Sequence, residues 1–135
     1  MSPTFRMIAC CVMTLLSTAM VATAVHSEVA DAAMQGNKSA VRTLLQQKAD
    51  VNAPQIDGST ALHWAVEADD LELTDLLIRA GAHVSAANKA GATPLLLATI
   101  NGNATIVERL IAAGSDPNAL LTKSADHFQW LEKKQ

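Results

Sequence analysis

A segment of this chain returns after thirty-three residues, and that period limits the fold more than any other feature. Gly58 returns as Gly91, Thr60 as Thr93, Leu62 as Leu95, Ala65 as Ala98 and Gly81 as Gly114. A fixed period in the range of about 20–50 residues means stacked units. One such unit cannot bury its own apolar face, so neighbours must share a continuous core.

Each repeated residue has a physical task. Gly58 and Gly91 sit where a tight turn leads into a helix, and glycine takes positive φ without steric cost. Thr60 and Thr93 are placed to cap helix N-termini through their hydroxyls. Pro94 follows at the first helical position, where its missing N–H is harmless, and Ala61 takes that place in the other copy. The spacing predicts an inner helix over 61–68 and its copy over 94–101. Gly102 ends the second copy, with Asp69 at the matching place in the first. An outer helix follows, carrying Leu73, Leu76 and Leu77 in one copy and Ile106, Leu110 and Ile111 in the other. Those spacings of three and four make an apolar stripe. Gly81 and Gly114 stop the outer helices. The expected core positions are Leu44, Leu62, Leu77, Leu95 and Leu110.

With Gly58-x-Thr60-Ala61-Leu62-His63-x-Ala65, Leu76-Leu77-Ile78-x-x-Gly81-Ala82, Gly91-x-Thr93-Pro94-Leu95 and Leu110-Ile111-x-x-Gly114, the chain resembles the ankyrin repeat family. The resemblance implies an all-α solenoid of stacked helix-turn-helix units with short hairpin fingers. It points to the small secreted or periplasmic type that looks bacterial. The units then run over residues 25–56, an N-terminal capping repeat, then 57–89 and 90–122. In the first, Ala32 aligns with Ala65 and Leu44 with Leu77, but the Gly-x-Thr-Pro entry is absent. Lys48 stands where the others have the stopping glycine, so that helix end is expected to be less well fixed. Residues 123–135 continue the register, with Phe128 at the Leu62 place and Trp130 at the Trp64 place. They are either a C-terminal cap or the stump of a longer array.

The N-terminus differs in kind. Arg6 is followed by nineteen uncharged residues, Met7 to Val25, and then Ala22-Thr23-Ala24 offers small residues at the right spacing for cleavage. This reads as a secretory signal peptide over 1–24, with Val25-His26-Ser27 as a second cleavage site. The alternative is an uncleaved helix that tethers the protein to a membrane. A lipidation role for Cys10 and Cys11 is disfavoured, since too few residues precede them. Cleavage removes both cysteines and leaves nine Lys and Arg against thirteen acids, a net charge of −4. That mild acidity argues against nucleic acid, which calls for clustered cations. No later run is apolar enough to span a bilayer, so the mature chain is expected to be free of membranes; it is also expected to be a monomer.

Catalytic patterns are absent. His26, His63, His83 and His127 form no ligand-spaced pair, and no nucleophile elbow or phosphate loop occurs. His63 stands where the family's histidine hydrogen-bonds backbone in the turn. Glu67, Asp69, Asp70 and Glu72 form an acidic patch without the glycine-punctuated order of a calcium loop, so a solvated turn is expected. Asn37-Lys38-Ser39 and Asn103-Ala104-Thr105 match the glycosylation acceptor pattern. No cofactor and no metal are expected, and the chain is not read as an enzyme.

The expected activity is binding to another protein. Carried over by register, the resemblance places the contacts on the finger tips and the exposed side of the inner helices. Those places are Met34 and Gln35, then Ile56, Asp57, Ser59, Glu67 and Ala68, then Lys89, Ala90, Ala92, Ile100 and Asn101. Ile56 is either an exposed contact or a residue packed on the neighbouring tip.

Overall fold

The structure is a computed structural model and describes residues 27–119. The signal segment, the second cleavage position at His26, both cysteines, His127 and the partial unit at 123–135 lie outside the described residues. Six helices alternate between two layers: α1 (Glu28–Met34), α2 (Lys38–Gln46), α3 (Ala61–Glu67), α4 (Leu71–Arg79), α5 (Pro94–Asn101) and α6 (Ala104–Ala112). There is no strand among the described residues. Each odd helix packs on the even helix that follows it, and α3 packs between α1 and α5.

The inner layer is the tighter one. α1 meets α3, and α3 meets α5, more closely than α4 meets α6. Ala32, Ala65 and Ala98 recur at the repeat period and are buried, and side chains of that size let helices approach. Closer spacing of inner than of outer helices bends the stack toward the inner side. Leu62, Leu73, Leu77, Ile106 and Leu110 fill the space between the layers and are fully buried.

Helix starts follow two rules, one for each layer. The inner helices begin at Ser27, Thr60 and Thr93, thirty-three residues apart. Ser27 supplies the entry that the first unit lacked on sequence, and its carbonyl accepts the Asp31 N–H at 2.8 Å. Thr93 caps as expected, accepting the Leu96 N–H, whereas the Thr60 hydroxyl lies 2.9 Å from His63 Nδ1. The outer helices begin at Asn37, Asp70 and Asn103, also at the repeat period. Their side chains accept the N–H groups of Ala40, Leu73 and Ile106 at 3.0–3.1 Å. The glycosylation patterns and part of the acidic patch are thus helix caps.

Helix ends keep the same register. The left-handed backbone occurs at Gly36, Asp69 and Gly102 after the inner helices, and at Lys48, Gly81 and Gly114 after the outer ones. The expectation for Lys48 is corrected. At φ 61° it makes the same closing bonds as the glycines, its own N–H to the Leu45 carbonyl and the Ala49 N–H to the Leu44 carbonyl. The helix end is fixed, at the expense of backbone strain.

Three further readings shift. α3 ends at Glu67, with Ala68 as its C-cap. Leu44 is half-buried, because α2 packs mainly on α1, while α4 packs on both α3 and α6. Ile111 is 43% exposed. It aligns with Ile78, which is covered by α6, and among the described residues nothing stacks beyond α6 in the same way.

Candidate protein-binding surface

The fingers are turns rather than strand pairs. In the first, the Gly58 N–H donates to the Gln55 carbonyl and the Gln55 N–H to the Ser59 carbonyl, both at 2.8 Å. The second repeats this with Gly91, Asn88 and Ala92, both at 2.9 Å. A four-residue turn of this kind closes on a residue with positive φ, which Gly58 (φ 81°) and Gly91 (φ 80°) supply. Ile56 and Lys89 therefore occupy equivalent outward corners. The fingers are tied to each other by the Lys89 N–H on the Asp57 carbonyl, 2.9 Å. Ile56 is 93% exposed, so it does not pack on the neighbouring tip.

Polar side chains anchor the finger bases. The Asp57 carboxylate accepts both the Ser59 N–H and the Ser59 hydroxyl, at 2.9 and 2.8 Å. The Ser59 N–H above all, and then its hydroxyl, hold the Asp57 carboxyl below its ordinary value. Gln55 reaches two inner helices, accepting the Trp64 indole N–H at 2.7 Å and donating to Asp31. The buried His63 ring accepts the Thr60 N–H at Nδ1, 3.1 Å, and its Nε2 lies 3.0 Å from the Ala92 carbonyl. A nitrogen that accepts from an N–H carries no proton, so Nε2 is the donor and the ring is neutral. Burial pushes its pKa down, against the Ala92 bond and the Asp57 charge, which favour the charged form.

The residues expected to make contacts separate into two groups. Met34 (50% exposed) and Ile100 (71%) project freely, and Ile56, Gln35, Asp57, Glu67, Ala68, Lys89 and Ala90 are exposed as well. Ser59 is corrected: it is 5% exposed, with its hydroxyl turned onto Asp57 and accepting from Asn88 at 3.4 Å. It shapes the finger and offers no side chain to a partner. Ala92 is half-buried and serves through its carbonyl. Asn101 is exposed, yet its amide donates to the carbonyls of Val66 and Glu67 at 3.0 and 3.3 Å, clamping α5 to α3.

Three of the four acids of the patch, Asp69, Asp70 and Glu72, are spent on the stack itself. Lys38 on α2 lies 3.0 Å from Asp70 and 2.8 Å from Glu72, and Arg42 also pairs with Glu72. The Lys38 bond, then its charge and the Arg42 bond, lower the Glu72 carboxyl. Burial pushes Asp70 up, but the Leu73 N–H and Lys38 outweigh it and the net shift is downward. Asp69 accepts the Asn103 amide at 2.9 Å. Among the described residues no group of acids, histidines or cysteines is placed to hold a metal ion. Nor is any helix there long and apolar enough to cross a membrane. On the outer side two shallow grooves run between α2 and α4 and between α4 and α6, with Arg79 on the wall of both.

A family model described as ankyrin repeats, in three copies, matches residues 29–120. The mouse nuclear factor NF-kappa-B p105 subunit is 40% identical over 88 residues, which is 64% of this chain and 9% of that protein. The zebrafish neurogenic locus notch homolog protein 1 is 37% identical over 100 residues, 73% of this chain and 4% of that protein. The fruit-fly palmitoyltransferase Hip14 is 35% identical over 91 residues, 67% of this chain and 14% of that protein. The chain thus spans about a seventh or less of the length of these curated relatives.

Proposed function

The chain belongs to the ankyrin repeat family, whose repeats are generally protein–protein interaction scaffolds, and on that premise we propose that it is a non-catalytic scaffold that binds another protein outside the cytoplasm. The observation that carries the reading is the exposure of Ile56, Ile100 and Met34 on the finger and inner-helix side. The core of the stack is complete without them, and interfaces set apolar anchors of this kind within a polar rim. Gln35, Asp57, Glu67, Ala68, Lys89, Ala90 and Asn101 form that rim. Rigidity is the mechanism: Asn101, His63, the Asn52 amide donating to the Gly81 carbonyl at 3.1 Å, and the Lys89–Asp57 backbone bond lock neighbouring units together before any partner arrives.

Placement outside the cytoplasm rests on the charged start, apolar run and Ala-x-Ala of residues 1–24, and the bacterial, secreted or periplasmic setting on the resemblance to small secreted ankyrin proteins. Cleavage after Ala24 keeps Ser27 as the start of α1, whereas cleavage after Ser27 removes the carbonyl that closes its first turn. Mass spectrometry of the mature N-terminus tests this. A start at Val25 supports a free protein, and an intact Met1 supports the membrane-tethered alternative. Binding itself is tested by affinity capture from the native compartment with the full chain. Ile56→Asp and Ile100→Asp should each keep the helical spectrum and weaken the captured partner at least about tenfold, or about 1.4 kcal/mol. Arg79→Asp, on the outer helix, should change it little. Full capture by both folded variants would contradict the reading.

A further inference from the structure

The C-terminal ends of the three inner helices carry register mates that alternate in chemistry. Met34, Glu67 and Ile100 lie thirty-three residues apart at the C-terminal ends of α1, α3 and α5, so stacking sets them in one row: apolar, acidic, apolar. All three are exposed. The Glu67 carboxylate makes no ion pair among the described residues, although its backbone carbonyl accepts from Asn101. Most other acids of the stack are already engaged. Asp57 holds Ser59, Asp69 holds Asn103, Asp70 and Glu72 hold Lys38, and Asp75 meets Arg109 at 3.8 Å. An open carboxylate flanked by two exposed apolar side chains, on a rigid step, is complementary to a cation flanked by two apolar groups.

The step length selects the form of the partner. Packed helices lie about 8–10 Å apart. A polyproline-type segment rises about 3.1 Å per residue with three residues per turn, so every third side chain returns to one face after about 9 Å. Residues i, i+3 and i+6 of such a segment meet three successive helix ends. A flat β-strand does not, because residues three apart point to opposite faces. We propose that the Met34–Glu67–Ile100 row receives an extended segment of a partner protein that reads apolar-x-x-Arg/Lys-x-x-apolar, with the cation on Glu67. The inference rests on the scaffold reading above and gives it a ligand chemistry.

The test uses the full mature chain and labelled peptides in low salt, read by fluorescence anisotropy. Leu-Pro-Pro-Arg-Pro-Pro-Leu is compared with the same peptide carrying Glu for Arg. A third peptide of fifteen residues sets Leu, Arg and Leu seven apart on a helix. The expected result is a preference for the Arg peptide of about fivefold over the Glu peptide, the scale of an exposed ion pair, that fades as salt is raised. Glu67→Lys should reverse the preference, and Glu67→Gln should abolish it, with the helical spectrum unchanged. No binding of either short peptide, equal binding of both, a preference untouched by Glu67→Lys, or binding of the helical peptide alone would each overturn the proposal. If Ile56→Asp and Ile100→Asp still weaken the captured partner while the peptides fail, only this inference falls and the scaffold reading stands.

Discussion

His63 and Ala92 join two units through one imidazole: Nε2 lies 3.0 Å from the Ala92 carbonyl while Nδ1 accepts the Thr60 N–H at 3.1 Å. Only the neutral ring satisfies both contacts, since a proton on Nδ1 would face a backbone donor. The folded-state pKa lies below the ordinary 6.5, chiefly through burial. The unfolded chain therefore takes up the proton first, and stability is whole above pH 6.5 and declines as pH falls from there toward the lowered value. The aspartates and Glu72 whose pKa is also depressed act in a separate window, below their ordinary 3.8 and 4.5. Urea midpoints measured from pH 7.5 to 5 should fall in the wild type. His63→Asn should be less stable at pH 7.5 and lose most of that slope. Parallel slopes for the two proteins would show that the ring is not the group responsible.

Gly58 is held by two constraints where Gly36 has one. Its φ is 81°, and a Cβ there would come within 3.1 Å of the Lys89 nitrogen and 3.3 Å of the Asn88 Cα. Gly36 has φ 67° and nothing within 4 Å. Gly36→Ala should cost about 1–2 kcal/mol, the ordinary strain of a left-handed residue. Gly58→Ala should cost more and also shift the amide signals of Asn88 and Lys89. Equal costs by denaturant melting would deny the finger-to-finger approach.

Lys48 offers the opposite experiment. It holds φ 61° with a side chain attached, at the register of Gly81 and Gly114. Lys48→Gly should raise stability by about 1 kcal/mol, because the strain goes and the closing bonds stay. A loss of stability would mean that the lysine stem contributes more than its backbone strain.

The N-caps of the outer helices carry comparable weight. Asp70→Ala removes the bond to the Leu73 N–H and one partner of Lys38. It should lower stability by about 0.5–2 kcal/mol, and Asn103→Ala by a similar amount. Thermal melts that leave either variant unchanged would contradict the capping role.

What the sequence displays and what it hides follow from residue identity. The period is legible where a position demands one residue: Gly58 and Gly91 for positive φ, Pro94 for a helix start, Gly81 and Gly114 for a helix stop. It is obscured where several residues serve. Asn37, Asp70 and Asn103 all cap through a side-chain oxygen, yet they read as a glycosylation pattern, an acid and a second pattern. Asp69 and Lys48 accept a glycine's backbone because the helix-closing bonds hold them there. Ser59 looks like a surface residue until its turn draws the hydroxyl onto Asp57. Leu44 and Ile111 depart from the expected stripe because burial in a stack depends on which neighbours a unit has, and a single unit's pattern does not contain that.

Leu77 reports on the shared core. It is fully buried on α4, between the inner layer and α6. Leu77→Ala should cost about 2–5 kcal/mol through the cavity it opens. In a stack this short that is a large share of a total near the low end of about 5–15 kcal/mol, so all three units should melt together. An unchanged melting temperature would refute the register.

The central claim is that the finger and inner-helix side is the face that binds. Amide hydrogen exchange on the full chain, with and without a captured partner, tests it most directly. The account predicts added protection at Ile56, Asp57, Lys89 and Ala90 and at the inner helix ends near Met34, Glu67 and Ile100, with α2, α4 and α6 unchanged. Protection confined to the outer helices, along the grooves walled by Arg79, would contradict it.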